Sequence, residues 1–253
     1  LAKRCFTLLP DFWHSFSWCD KKILYKGTGS SLNDYIMIHP ENYVITIFGN
    51  EKSEAAAERC IASGLSVGGI SIEKWRATVP NTYLPEMIEK EGINTTLMNE
   101  IYSRTPNCIA AFLSHYSLWK RSVEEGVEVT IFEHDAVCVN NVPSDIRFKG
   151  VLSFGAPSYG KFNTPSSFGV VPLQSKTYLP GAHAYRVKPE AAQMLIDQAR
   201  MEARPTDVFL NINTFPFLEE HYPWPVEARD SFTTIQSEIG CRAKHNKVEI
   251  IEA

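Results

Sequence analysis

Between residues 43 and 210, short β-branched or aromatic runs alternate with segments of helical periodicity, and few architectures accept that order. YVITIF at 43–48 predicts a buried strand. Ser53 then predicts the N-cap of the helix SEAAAERCIASG, with Glu54 and Glu58 early and Gly64 as its stop. A second strand is expected within 70–76, and a short helix in YLPEMIEKEG, ending at Gly92. Ile109, Phe112, Leu113, Tyr116, Trp119 and Val123 share one stripe at helical spacing, which predicts a helix over 109–123. VEVTIF, VLSFG (151–155) and AHAYRV (182–187) predict further strands, and Pro189 opens the helix PEAAQMLIDQARMEA. The alternation predicts an α/β fold with a mostly parallel central sheet flanked by helices, and ligands at the carboxyl ends of its strands.

Two segments fall outside the alternation. Residues 1–42 carry Phe12, Trp13, Phe16 and Trp18 and a turn-rich YKGTGSSLND. They predict an N-terminal extension packing its aromatics on a domain of residues 43–253, with a separate interaction arm as the alternative. Residues 156–181 are rich in Ser, Pro, Gly, Thr and Asn and too long for an ordinary connector, and such loops carry function.

The formal charge of −4 lacks the basic excess of a general nucleic-acid binder. No apolar run approaches the roughly 20 residues that cross a bilayer, and Pro10 and Asp11 interrupt the opening stretch before a signal core forms. The six cysteines contain no CxxC pair. A chain of this size with 44% hydrophobic residues needs no staples, so reduced, buried thiols and a cytoplasmic location are expected. P-loop, GxGxxG-after-strand, HExxH, nucleophile-elbow and zinc-knuckle patterns are all missing from the sequence.

The sharpest local feature is VEVTIFEHDAVCV, where a hydrophobic strand runs directly into Glu133-His134-Asp135. Acids at the end of a buried strand are costly without a partner. Mg²⁺ or Mn²⁺ beside a diphosphate is a natural partner, needing only one or two protein carboxylates. A solvated polar turn is the alternative. His134, His183, His221 and His245 are the histidines that chemistry admits as a further ligand, although His134 and Glu133 should face opposite sides of the strand. His115 falls at the edge of its helix's apolar stripe and suits a core histidine bonded to a neighbouring strand. Ser114 falls on the opposite side, which makes a Ser-His pair geometrically poor, and Trp119 suits core packing.

IAAFLSHYSLWKRSVEEGVEVTIFEHDAV resembles the core of glycosyltransferase family 25, which includes bacterial lipooligosaccharide galactosyltransferases and collagen galactosyltransferases. Ser114, His115 and Trp119 match its Ser-His and following Trp, and Glu133 and Asp135 match the outer acids of its triplet. PGAHAYRVKPEAAQMLID resembles its strand–helix segment, and Pro205-Thr206-Asp207 its following proline and aspartate. The four blocks keep the family's order over about residues 43–235. Three positions depart from it: His134 replaces the middle acid, Ala110-Ala111 replace a Gly-Cys, and Ile47-Phe48-Gly49-Asn50 stand where the first strand usually ends in polar and basic residues.

The resemblance implies a GT-A-type, metal-dependent, inverting transferase that takes a nucleotide sugar, expected to be a UDP-sugar, with Mn²⁺ or Mg²⁺. It implies Asp135 as metal ligand and Glu133 beside the ribose or the metal. Asn50 would lie on the nucleotide side, and Gly181 would allow close approach of a ligand. Asp207 is the candidate base with Asp230 behind it, while Asp207 as a helix cap and Asp230 as a surface residue stand open beside those roles. Tyr159, Phe162 and Tyr178 suit stacking on an acceptor or simple loop packing. The expected acceptor is a hydroxyl of a saccharide or protein. One alternative is a hydroxylated base in DNA, met by Arg200, Arg204, Arg242, Lys244 and Lys247; another is a degenerate, non-catalytic binding or scaffold protein.

Overall fold

Strand-forming residues alternate between two apolar faces, and helices close over both. A computed structural model describes residues 40–99, 103–158, 160–179, 182–229, 232–236 and 249–253. Residues 1–39, which make up nearly all of the expected extension, lie outside the described residues. The chain enters strand β1 (Glu41–Thr46), then helix α1 (Glu51–Ser63), β2 (Glu73–Arg76), α2 (Leu84–Glu91) and the long α3 (Thr105–Glu125). It continues through β3 (Val129–Glu133), β4 (Ala136–Cys138), β5 (Val151–Ser153), β6 (Gly169–Pro172) and β7 (Ala184–Val187). Helices α4 (Pro189–Met201) and α5 (Thr206–Phe209) precede β8 (Leu218–Tyr222) and β9 (Val226–Ala228). Two short strands, β10 (Phe232–Thr233) and β11 (Glu249–Ile250), pair in parallel.

The described residues form an α/β fold around a seven-stranded sheet of order β2-β1-β3-β7-β5-β8-β6. The pairings run β1, β2, β3, β5 and β8 one way and β7 and β6 the other. The sheet is therefore mixed, mostly parallel in direction but with two reversed strands that hydrophobic patterning cannot distinguish from forward ones. Tyr43, Ile45, Ile131, Val151, Tyr185 and Val187 face one core with α3, α4 and α5. Val44, Phe132, Leu152 and Ala184 face the other, with Ala57 and Cys60 of α1. In the first core Trp119 is fully buried, edge-on to Phe112 at 5.5 Å and stacked on Phe209 at 5.6 Å, as the stripe on α3 anticipated. Each such ring contributes roughly 1.5–3 kcal/mol by leaving water.

Local signals were less reliable than periodicity. Asn50, not Ser53, caps α1: its Oδ1 accepts the Ser53 N–H at 3.0 Å. Ser53 lies inside the first turn, where its Oγ accepts the Ile47 N–H at 2.9 Å. Gly64 does not stop the helix; its φ is −56°, and a π-turn carries the chain to Gly69, which takes the left-handed φ of 69°. The loop 156–181 contains the edge strand β6, too short and Gly-Pro bounded to read as a strand. Ser114 is buried rather than outward, because the segment after β2 covers that side of α3 and donates the Thr78 N–H to Ser114 Oγ. Cys60, Cys108 and Cys138 are buried thiols outside any disulfide. No described helix is long and apolar enough to cross a membrane.

Candidate functional site

From β1 the chain crosses to β2 on one side, and β3 pairs on the other. The carboxyl ends of β1 and β3 therefore flank a topological switch point, where an open α/β sheet leaves a crevice. Glu133 ends β3, and His134-Asp135 form the tight turn into β4.

The triplet divides between the two faces of the sheet. Glu133 extends the ladder by donating its N–H to the His183 carbonyl at 3.0 Å, and its side chain meets α3, with Oε1 3.2 Å from His115 Nε2. His115 is 2% exposed, and its Nδ1 is 2.9 Å from the Tyr185 hydroxyl. Trp119 Nε1 donates to that same hydroxyl at 2.9 Å. An indole N–H can only donate, so the Tyr185 oxygen accepts there, while the His115 ring nitrogens bridge that hydroxyl and the Glu133 carboxyl. Burial holds His115 neutral, pulling it down to about 3, although the Asp207 charge opposes this.

Asp207 is the second acid of this network. Burial first, and the Asp207 charge second, push the Glu133 carboxyl up to about 8. Because the Glu133 side chain remains 30% exposed, solvent softens that shift, and its upward direction is the firm part. Asp207 also partly offsets the desolvation that lowers Lys176. It does not cap α5, whose N-cap is Pro205 with no side-chain cap bond; it lies in the first turn, where its Oδ1 accepts the N–H of the next residue, Val208, at 2.9 Å, and its charge acts on Glu133 at the end of β3. Lys176 and Tyr185 are members of this cluster that sequence reasoning missed. Tyr185 carried the signal of a strand position paired with Ile131, on the Glu133 face.

His134 turns to α1, as strand alternation anticipated. Its Nδ1 lies 3.0 Å from Ser53 Oγ, its ring packs 5.2 Å from Phe232, and burial lowers it to about 4. Asp135 follows in the turn, its carbonyl accepting the Arg229 N–H, and its charge adds to the burial and the Cys138 charge that raise the Cys60 thiol. Asn50 lies on the same edge of the sheet, but its side chain is used by the cap and by the Glu252 carbonyl at 2.7 Å. Beside the end of β1, the Arg76 guanidinium, at the end of β2, stands 4.4 Å from the Phe48 ring. Only pairing register, not local sequence, could have found it.

The other candidates separate from this cluster. Gly181 and Asp230 lie outside the described residues, as do Tyr159, His245, Arg242, Lys244 and Lys247. His183 is buried where a Cβ on Gly155 would fall 2.5 Å from its Nε2. His221 Nδ1 is 3.0 Å from the Pro223 carbonyl. Arg200 and Arg204 each pair with a neighbouring acid, Asp197 and Glu202. Tyr178 bridges to Asn211, with the Lys176 ammonium 5.5 Å from its ring.

Among the described residues no group of three or more His, Cys, Asp or Glu side chains converges to hold a metal. The described side chains therefore do not build a closed protein cage for a cation. No protein-family model matches the chain, and no curated protein matches it significantly.

Proposed function

We propose that the protein is an inverting, metal-dependent glycosyltransferase of GT-A type, related to glycosyltransferase family 25, which moves a hexose from a nucleotide sugar to an acceptor hydroxyl. One observation supports this reading above the others. Residues from all four sequence blocks of the resemblance meet in one network: His115 and Trp119 from α3, Glu133 from β3, Tyr185 from β7 and Asp207 from α5. A bland α/β protein has no reason to bring a buried histidine, a buried tyrosine and two carboxylates to the carboxyl end of its central strands.

In this mechanism Phe48 and Arg76 offer a ring face and a cation to the nucleotide at the ends of β1 and β2. Asp135 would hold Mn²⁺ or Mg²⁺, which when bound would supply positive charge against a diphosphate leaving group. The Trp119–Tyr185–His115 chain of hydrogen bonds sets the imidazole against the Glu133 carboxyl at the end of β3. Asp207 takes the proton of the attacking acceptor hydroxyl. The test is turnover of UDP-galactose and UDP-glucose with Mn²⁺, followed as released UDP. Wild type is expected to hydrolyse or transfer at least one of them, and Asp135→Asn to lose about 100-fold or more. A wild type that turns over no nucleotide sugar would remove the proposal.

A further inference from the structure

A second surface lies farther along the same edge of the sheet. Strand β8 runs parallel to β3, and three strand spacings separate them, about 14 Å at ~4.8 Å per step. Just beyond its carboxyl end four aromatic rings gather. Phe168 stacks on Tyr222 at 5.8 Å, Tyr222 meets Trp224 edge-on at 5.0 Å, and Phe162 meets Trp224 edge-on at 5.8 Å. Phe168 is 80% exposed and Phe162 46%.

This surface is fixed in place from below. Glu220 is 1% exposed, yet its Oε2 accepts the Trp224 indole N–H at 2.9 Å, and its Oε1 accepts the backbone N–H groups of Gln174 and Ser175, both at 2.8 Å. One buried carboxylate therefore ties the ring-bearing segment after β8 to the long loop. Gly169, paired with Tyr222, takes a φ of 86° that side chains resist, and this turn sets Phe168 over the Tyr222 ring. An exposed aromatic cluster tied to a buried carboxylate is a feature that protein surfaces otherwise avoid.

Its surroundings select the occupant. The loop 156–181 carries Lys161 and Lys176 as its only charged residues and no acid, too little positive charge to track a nucleic-acid backbone. The loop that carries Phe162 and Phe168 also carries the exposed amide and hydroxyl side chains of Asn163, Ser166, Ser167 and Gln174. Flat apolar faces with a neutral hydrogen-bonding rim complement a sugar ring, which has one C–H face and a rim of hydroxyls. We propose that Phe162, Phe168, Tyr222 and Trp224 form the docking surface for a neutral oligosaccharide acceptor. The word acceptor rests on the transferase reading; the saccharide site itself does not.

Binding of fluorescently labelled full-length protein to an array of neutral and anionic oligosaccharides tests this, with wild type, Phe168→Ala and Phe162→Ala compared. Wild type is expected to bind at least one neutral oligosaccharide, and Phe168→Ala to bind it about tenfold more weakly, the effect of one lost ring contact. Because both phenylalanines are exposed, each variant should keep the wild-type melting temperature and any thermal shift given by UDP-galactose with Mn²⁺. No bound glycan, or equal binding by Phe168→Ala, would overturn the proposal. So would a wild-type dimer in size-exclusion chromatography that Phe168→Ala makes monomeric, since the rings would then serve a second copy. Saccharide binding lost in Phe168→Ala, with no nucleotide-sugar binding by wild type, would instead keep this site and remove the transferase reading.

Discussion

Asp207→Asn is expected to lower glycosyl transfer by about 10²–10⁴-fold, the usual contribution of a positioned general base. Donor binding should survive, because Asp207 lies on α5 and the proposed nucleotide contacts lie on β1 and β2. Asparagine keeps the shape and still offers an oxygen to the Val208 N–H that the aspartate now accepts, so α5 should persist. The substitution removes the charge that raises Glu133, and the Glu133 carboxyl should therefore ionise at lower pH than in wild type. Steady-state kinetics at several pH values would read both effects. Unchanged turnover would reduce Asp207 to the helix-terminal role that its backbone contact also serves.

The second large effect is a stability maximum near pH 6.5. Burial holds His115, His134 and His183 down to about 3, 4 and 4. Unfolding returns them to an ordinary value near 6.5, so below that pH the unfolded chain binds up to about three protons that the fold refuses. These lowered pKa values give stability that is present above pH 6.5 and lost as the pH falls towards 4. Glu133 acts in the opposite sense. Its carboxyl, raised to about 8, keeps a proton that the unfolded chain gives up above about 4.5, so its contribution is lost as the pH rises towards 8. The balance below pH 6 is a net uptake of about two protons on unfolding, a slope of roughly 3 kcal/mol per pH unit. Two units of acidification then remove a large share of an ordinary domain's stability. Urea unfolding at pH 8, 6.5, 5.5 and 5 should show a shallow decline on the alkaline side and a steep one on the acid side. Glu133→Gln should flatten the alkaline limb alone. A constant unfolding free energy between pH 6.5 and 5 would contradict the buried, neutral state of these histidines.

The sequence carried the fold further than it carried the site. Burial stripes are averaged over many residues, so the helix around Phe112, Tyr116 and Trp119 and the strand ending at Glu133 could be read from periodicity. A cap depends on one residue, and Asn50 and Ser53, three apart and both good cap formers, exchange roles through a single hydrogen bond. Strand direction leaves no mark on hydrophobic alternation, so the reversal of β7 was invisible. That reversal matters to the site, because it sets Tyr185 opposite Ile131 and within reach of His115. The opposite facing of Glu133 and His134 followed from alternation, whereas the action of Asp207 on Glu133, His115 and Lys176 is long-range and had no local signal. Arg76 shows the same limit, since its usefulness depends on the parallel register that sets it opposite Thr46.

The central claim is that Asp135, in the turn after β3, carries the cation through which a nucleotide diphosphate is held. The most direct measurement is the melting temperature of wild type and Asp135→Asn with UDP, UDP-galactose or UDP-glucose, each with and without Mn²⁺. A ligand at 100 times its Kd stabilises a fold by about 2.7 kcal/mol, which is roughly 2–4 °C for a chain of this size. That rise is expected in wild type only when nucleotide and Mn²⁺ are both present, and in Asp135→Asn not at all. Equal shifts in the two proteins, or none in either, would contradict the account.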